Sequence, residues 1–177
     1  MTIEEKIFAL LDEPRWAWAA TWFRLGEVIV QTPEKSWATK TPTEDECPHA
    51  LLALGCTGVG QRGAGNERDW IGWDLDVGHG KKSYQVTYVA IQAARLIKAR
   101  MGPWTEIRLS KSGRGVHVRT LLKNPVQLDE GPKIAKAVID ELGIRADPTA
   151  LSRQAFWLCC AEPGENAFKC IEAATFS

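Results

Sequence analysis

The segment IGWDLDV, residues 71–77, constrains the fold more than any other part of the chain. Apolar residues occupy every second position from Ile71 to Val77, which is the period of a β-strand with one buried face. Asp74 and Asp76 lie between them and share the opposite face, because residues i and i+2 of a strand point the same way. Neighbouring carboxylates make each other harder to ionise. The segment therefore predicts a buried strand whose acidic face needs an offsetting positive charge.

The elements around this acidic strand predict an α+β fold with an RRM-like, ferredoxin-like sheet. The order strand, helix, strand, strand, helix, strand is that of a split βαβ unit. Hydrophobic periodicity and turn residues predict a strand at 69–77, a helix at 84–101, strands at 105–110 and 116–122, a helix from Pro132 to Gly143, and a strand at 156–160.

Composition is typical of a globular protein. Of the 177 residues, 45% are hydrophobic and 25% are charged, and no apolar run is long enough to span a membrane. The acidic, amphipathic start lacks the layout of an export signal. The cysteine count of five is odd and suggests no disulfide framework, so a reducing, cytoplasmic location is expected.

Charge is unevenly distributed along the chain, although the net charge is zero. Between Val77 and Lys123 ten residues are basic, and the single acidic residue is Glu106. A basic segment directly after two aspartates is the layout expected for a polyanion held near a metal ion. A solvated helix face is the alternative explanation for part of this segment, namely Arg95, Lys98 and Arg100.

The segment SKSGRGVHV predicts a hairpin that can hold an anion. Gly113 and Gly115 permit backbone conformations in which successive N–H groups converge on one point. Lys111 and Arg114 add positive charge, and His117 begins the next strand with a side chain that can donate to a phosphate oxygen. A plain hairpin with a structural histidine is the alternative.

The aspartates are candidate metal ligands. Mg²⁺ prefers oxygen ligands, usually one or two carboxylates together with substrate phosphates. Pro148 pushes Asp147 toward an extended conformation, from which it could project beside the acidic strand as a third carboxylate. Two alternatives stay open: one aspartate of the pair caps the strand end or binds Lys81 or Lys82, and Asp147 forms an Asx turn near a surface Arg153.

The acidic strand, the SGRGVHV hairpin and the later aspartate together resemble the archaeo-eukaryotic primase superfamily, in particular its primase-polymerase type. The resemblance covers residues 70–160. It implies an RRM-like palm at residues 69–177, packed with an N-terminal α/β lobe at residues 1–68 in one compact catalytic unit.

The resemblance also implies which residues do the chemistry. Asp74, Asp76 and Asp147 match the catalytic acids that bind two Mg²⁺ or Mn²⁺ ions. The implied nucleotide-binding residues are Lys111, Ser112, Gly113, Arg114, Gly115, His117 and Arg153.

The implied function is template-dependent nucleotidyl transfer by a DNA primase, a DNA polymerase or both, in replication of a mobile element or in repair. The expected partners are a single-stranded DNA template with a primer, NTP or dNTP, and a helicase or accessory replication domain supplied separately. Contacts with the template are expected at Lys81, Lys82, Arg108 and Arg119.

Two other functions remain open at this point. A metal-dependent nuclease would use the same acids, but it gives no reason for a hairpin that holds a triphosphate. An RRM-like nucleic-acid-binding module should carry paired aromatic residues on its central strands, where this chain has aspartates. Zinc is not expected as a cofactor, because Cys47, His49 and Cys56 match no standard zinc spacing.

Overall fold

The computed structural model describes residues 28–32, 34, 37–40, 58–61, 66–78, 83–147, 156–160 and 164–175. These residues form two antiparallel β-sheets and two α-helices, and backbone contacts divide the chain into two compact units. None of the described helices is long and apolar enough to cross a membrane. The elements in chain order are β1 (Val28–Gln31), β2 (Trp37–Lys40), β3 (Gly58–Gln61), β4 (Glu67–Leu75), α1 (Thr87–Met101), β5 (Thr105–Leu109), β6 (Val116–Gln127), α2 (Glu130–Leu142), β7 (Phe156–Cys160) and β8 (Cys170–Glu172).

The first unit contains a four-stranded sheet in the order β2-β1-β3-β7. Strand β7 pairs with β3, with Val59 opposite Cys159. The prediction that residues 156–160 form the last strand of the RRM-like sheet is therefore wrong. An apolar run such as FWLCC indicates a strand, but its pattern does not specify which sheet that strand joins.

The second unit contains α1, α2 and a sheet in the order β4-β6-β5-β8, and the predicted α+β class is confirmed. Strands β4, β5 and β6 and both helices follow the predicted split βαβ order. In the described part of the chain, the fourth strand expected beside β4 is reduced to one antiparallel bridge between Asp74 and Asp147. Strand β8, which the sequence did not predict, extends the opposite edge of the sheet beside β5.

One face of the second sheet is apolar and packs against both helices. Helix α1 contributes mainly alanines and Ile97, and the small alanines let it lie close to the strands. The Trp73 indole N–H donates to the carbonyl oxygen of Ala135 in α2 at 2.8 Å. Burying each large apolar side chain stabilises the fold by roughly 1.5–3 kcal/mol. The buried strand residues on this face are Ile71, Trp73, Leu75, Ile107, Leu109, Val116 and Val118.

The helix boundaries differ slightly from those predicted. Helix α1 begins at Thr87 instead of Tyr84, because Tyr84 forms a parallel bridge with Val77. Helix α2 begins before Pro132, which lies in the first turn, where its missing N–H removes no intrahelical hydrogen bond. It ends at the predicted Gly143, whose left-handed φ of 65° closes the last turn.

Candidate active site

Asp74 lies at the centre of a polar row that crosses the second sheet. It stands opposite His117 in the β4–β6 ladder, and His117 stands opposite Arg108 in the β6–β5 ladder. On its other side, the Asp74 N–H donates to the Asp147 carbonyl at 3.0 Å, and the Asp147 N–H donates back at 2.8 Å. Residues directly opposite in antiparallel pairs point to the same face of the sheet. The backbone therefore brings two of the three predicted acids together with the predicted histidine.

Tyr84 forms hydrogen bonds with both acidic segments, the one that contains Asp76 and the one that contains Asp147. Its N–H donates to the carbonyl oxygen of Asp76 at 2.8 Å, and its own carbonyl accepts the N–H of Gly78 at 3.0 Å. Its hydroxyl accepts the N–H of Arg145 at 3.1 Å, two residues before Asp147. Sequence reasoning missed this residue, since a tyrosine at the start of a predicted helix gives no signal of such a role.

The Asp74 carboxyl is in an environment that opposes its ionisation. Burial, together with the neighbouring charges of Asp76 and Asp147, raises the pKa of Asp74 to about 7. Its Oδ1 atom is buried and has no hydrogen-bond partner. His117 Nε2 is 3.6 Å from this oxygen, which is beyond hydrogen-bond distance. A buried carboxylate oxygen without a hydrogen-bond partner, close to two like charges, is a position where a cation would be stabilising.

His117 is neutral at neutral pH. Burial and the nearby Arg119 guanidinium lower the pKa of His117 to about 4. His117 and Asp74 therefore do not form an ion pair, although their side chains lie close together. A neutral imidazole has one N–H donor and one acceptor nitrogen, so His117 can still donate to an anionic ligand.

The three acids are near one another but do not form a complete metal-ligand set. Among the described residues, no group of three His, Cys, Asp or Glu side chains is placed to hold a metal ion. Asp76 and Asp147 are exposed, and the charges of both act on the Asp74 carboxyl. The donors are nevertheless carboxylate oxygens, the type that Mg²⁺ and Mn²⁺ prefer, and one is buried without a partner. The residues fit a divalent cation by chemistry, although they are not preassembled around one.

The glycine-rich turn between β5 and β6 (residues 110–115) is here called the phosphate loop, after the role predicted for it from the sequence, and it is closed by its own backbone. The Ser110 N–H donates to Gly115 O at 2.8 Å, and the Gly113 N–H donates to Ser110 O at 2.9 Å. Gly113 has a left-handed φ of 74°, which glycine adopts without strain. The Ser112 hydroxyl lies 3.1 Å from the Ser110 hydroxyl and accepts the Arg114 N–H at 3.3 Å.

Arg114 connects the phosphate loop with the acidic strand. Its guanidinium lies against Gly78, where an added Cβ atom would be 3.1 Å from Arg114 Nη2. Gly78 comes two residues after Asp76 and is itself left-handed, with φ 81°. The loop's exposed cation therefore lies beside the segment that carries the acids, as expected for residues that hold one polyanionic ligand between them.

Arg119 and Arg108 occupy a different environment from the one predicted. Arg119 is only 2% exposed, and its guanidinium binds the Glu106 carboxylate. Burial lowers the pKa of Arg119 to about 10, so it stays charged. Arg108 is half-buried, with its guanidinium 3.3 Å from Glu106 Oε2 and 3.1 Å from Phe168 O. The predicted template contact at Arg119 is incompatible with this burial, because the guanidinium lies beneath the surface.

Glu106 is a residue that sequence reasoning missed. The signal was present, because Glu106 and Arg108 alternate with apolar residues in β5 and so share the face of His117 and Arg119. Three predicted site residues, Lys81, Lys82 and Arg153, lie outside the described residues, as do the zinc candidates Cys47, His49 and Cys56.

Comparison with known proteins gives matches in structure alone. No protein-family model matches the chain, and no curated protein sequence matches it. The polymerase domain of Mycobacterium tuberculosis ligase D, solved in complex with DNA, aligns with a TM-score of 0.56 and 15% identity over 88% of this chain and 75% of that chain. The archaeo-eukaryotic primase domain of the cyanophage S-2L primase-polymerase aligns with a TM-score of 0.42 and 12% identity over 92% of this chain and 93% of that chain.

Proposed function

We propose that this chain, which has the fold of the archaeo-eukaryotic primase superfamily, is a template-dependent nucleotidyltransferase. It would act as a DNA primase, a DNA polymerase or both, with NTPs or dNTPs as substrates. The observation that supports this proposal most strongly is the pairing of Asp74 with Asp147 beside His117, with the Arg114 guanidinium lying against Gly78, two residues after Asp76. Acids and an anion-binding loop at one place are what a metal-dependent reaction of a nucleoside triphosphate requires.

The acids would hold the metal ions. Asp74, Asp76 and Asp147 would supply carboxylate oxygens, and the buried Oδ1 of Asp74, which has no hydrogen-bond partner, would gain one. When bound, Mg²⁺ or Mn²⁺ would lower the pKa of a primer 3′-hydroxyl and neutralise charge on the leaving pyrophosphate. A nearby cation also opposes the influences that raise the pKa of Asp74, so this carboxyl would be ionised in the working enzyme.

The phosphate loop would hold the incoming nucleotide. The Ser112 hydroxyl and the Arg114 guanidinium are both on the exposed side of the loop, where they can contact phosphate oxygens. His117 would donate its single N–H to the ligand. Lys111, Gly113 and Gly115 belong to the same loop, and Arg153 remains a proposed contact from the sequence. Catalysis by such a site depends on positioning and electrostatics more than on proton transfer by a side chain.

Single-stranded DNA with a primer is the proposed nucleic-acid partner. The ligase D polymerase domain was solved in complex with DNA, which makes the same class of ligand reasonable here. Lys81, Lys82 and Arg108 remain proposed template contacts, whereas Arg119 is no longer one because it is buried. The separately supplied helicase or accessory domain, the cytoplasmic location and the division into lobe and palm remain predictions from the sequence.

The two alternative functions fit the described residues less well. A nuclease needs no triphosphate holder, so it gives no reason for a glycine-rich loop beside the acidic segment. An RRM-like binding module stacks bases on aromatic residues of its central strands. On the polar face of β5 and β6, the described positions hold Glu106, Arg108, His117 and Arg119 instead.

Extension of a labelled primer on a single-stranded template tests the proposal. The reaction contains Mg²⁺ or Mn²⁺ and either NTPs or dNTPs, with and without the primer. The double variant Asp74→Ala, Asp76→Ala should lose extension. The control Asp129→Ala, Asp140→Ala removes the exposed aspartate just before α2 and an exposed aspartate within it, and should keep extension. Extension by the first double variant at the wild-type rate would refute the assignment of the acids.

A further inference from the structure

The segment Gly164–Phe168, here called the loop support, lies directly against the phosphate loop. The Gly164 N–H donates to Lys111 O at 3.1 Å, and the Phe168 N–H donates to Ser110 O at 3.3 Å. One residue further, the Leu109 N–H donates to Lys169 O at 3.0 Å. The support therefore binds carbonyl groups of the loop.

Each of the two segments has a glycine at the contact, and neither position has room for a side chain. A Cβ atom on Gly164 would overlap the carbonyl oxygen of Ser112 and lie 2.7 Å from its carbonyl carbon. A Cβ atom on Gly113 would lie 3.0 Å from the backbone nitrogen of Asn166. Both obstacles are backbone atoms, which cannot move aside as the end of a side chain can. The two backbones are therefore packed as closely as they can be.

The support is itself held in place. Phe168 is buried and has a left-handed φ of 58°, an unfavourable conformation for a residue with a side chain. Its carbonyl accepts a hydrogen bond from Arg108 Nη1 at 3.1 Å. A strained residue persists only where its surroundings fix it, which indicates that this segment has one conformation to maintain.

We propose that the loop support is a positioning element that holds the phosphate loop in its triphosphate-binding conformation, with Gly164 as the residue on which this depends. The inference rests on the proposed function, since it assumes that the loop binds a nucleoside triphosphate. A loop fixed before binding loses less conformational freedom when the ligand arrives, so the fixed conformation contributes directly to affinity.

Replacement of Gly164 tests this role. The φ of Gly164 lies outside the left-handed region, so Gly164→Ala adds a collision with Ser112 without backbone strain of its own. The variant should raise KM for the nucleotide at least about tenfold, with kcat and the Kd for single-stranded DNA within about threefold of wild type. The control is Gly143→Ala, which is strained by its φ of 65° but meets no atom within 4 Å. It should lower stability and leave KM unchanged.

A measurement on the wild-type protein supplements the variant, in case Gly164→Ala does not fold. Amide hydrogen exchange at Gly164 and Phe168 should slow when a nucleoside triphosphate and Mg²⁺ are added, because these amides bind loop carbonyls. Addition of single-stranded DNA alone should leave their exchange unchanged. The inference would be overturned if triphosphate left the exchange of these amides unchanged, or if Gly164→Ala and Gly143→Ala had equal KM values for the nucleotide. Primer extension by the wild type would in that case still support the proposed nucleotidyltransferase function. A wild type that neither binds triphosphate nor extends a primer would overturn both.

Discussion

Asp74 and Asp147 face each other across the edge of the second sheet, and each donates its backbone N–H to the other's carbonyl oxygen, at 3.0 and 2.8 Å. These bonds join two residues that are distant in sequence and require neither carboxylate. The position of the third acid is thus set by the main chain.

Asp147→Asn should preserve the fold and abolish the activity. The bridge to Asp74 uses backbone atoms alone, so thermal unfolding should change little. Loss of one metal-binding carboxylate should reduce primer extension by at least about a hundredfold. The matched substitution Asp140→Asn, on the exposed surface of α2, should extend primers as wild type does. If Asp147→Asn keeps full activity, the third acid lies elsewhere.

Tyr84→Phe should weaken the positioning of the acids. The change removes the hydroxyl that accepts the Arg145 N–H at 3.1 Å and leaves the backbone bonds of residue 84 in place. The expected loss of stability is about 1 kcal/mol, and kcat should fall several-fold because Asp147 is held less firmly. Tyr88→Phe is the control, since Tyr88 is 68% exposed on α1. Identical kinetics for the two variants would remove Tyr84 from the account.

Stability of the metal-free protein should depend on Asp74 and on pH. The folded-state pKa of Asp74 is raised from 3.8 to about 7, so between these values the folded protein binds more protons than the unfolded chain. The contribution of this group to stability is therefore lost as pH rises through 7. Asp74→Asn should become more stable than wild type above pH 7, by up to about 4 kcal/mol.

The measurement is urea unfolding of both proteins in EDTA at pH 5 and pH 8. The depressed pKa of His117 acts with the opposite sign, because its contribution is lost as pH falls, but it is present in both proteins and largely cancels. The stability difference between Asp74→Asn and wild type should grow from pH 5 to pH 8. A difference that is constant with pH would mean that Asp74 is not buried among like charges.

Glu106→Gln should destabilise the protein without weakening DNA binding. The change leaves the Arg119 guanidinium buried without its carboxylate, and breaking a buried ion pair costs about 3–5 kcal/mol. Glu141→Gln, which removes an exposed partner of Arg100, should cost less than about 1 kcal/mol. Urea unfolding and DNA titration at two salt concentrations check both parts. Stronger DNA binding by Glu106→Gln, with unfolding like that of wild type, would return Arg119 to the template surface.

The local pattern of the sequence was enough to predict the central strands and their faces. Alternation in IGWDLDV places the Asp74 and Trp73 side chains on different faces of the sheet. Alternation in GVHV likewise places His117 on the other face from Val116 and Val118, and the structure agrees with both. The second helix ends at the predicted Gly143 for the reason expected of a left-handed glycine. These features depend on neighbouring residues, which the sequence displays directly.

The features that the sequence did not predict depend on distant parts of the chain. Which sheet β7 joins is decided by its partner β3, and no periodicity encodes that choice. Arg119 belongs to a basic segment, but its burial depends on Glu106 in the neighbouring strand, and a count of charges does not distinguish buried from exposed arginines. The loop support likewise begins at Gly164, which is distant in sequence from the phosphate loop that it contacts.

Single-nucleotide incorporation tests the central claim most directly. The protein is given a primed single-stranded template of known sequence, Mn²⁺, and one of the four nucleotides at a time. The nucleotide complementary to the next template base should be added, the other three should be added much more slowly, and Asp147→Asn should add none. Equal addition of all four nucleotides, or cleavage of the template without addition, would contradict the central claim.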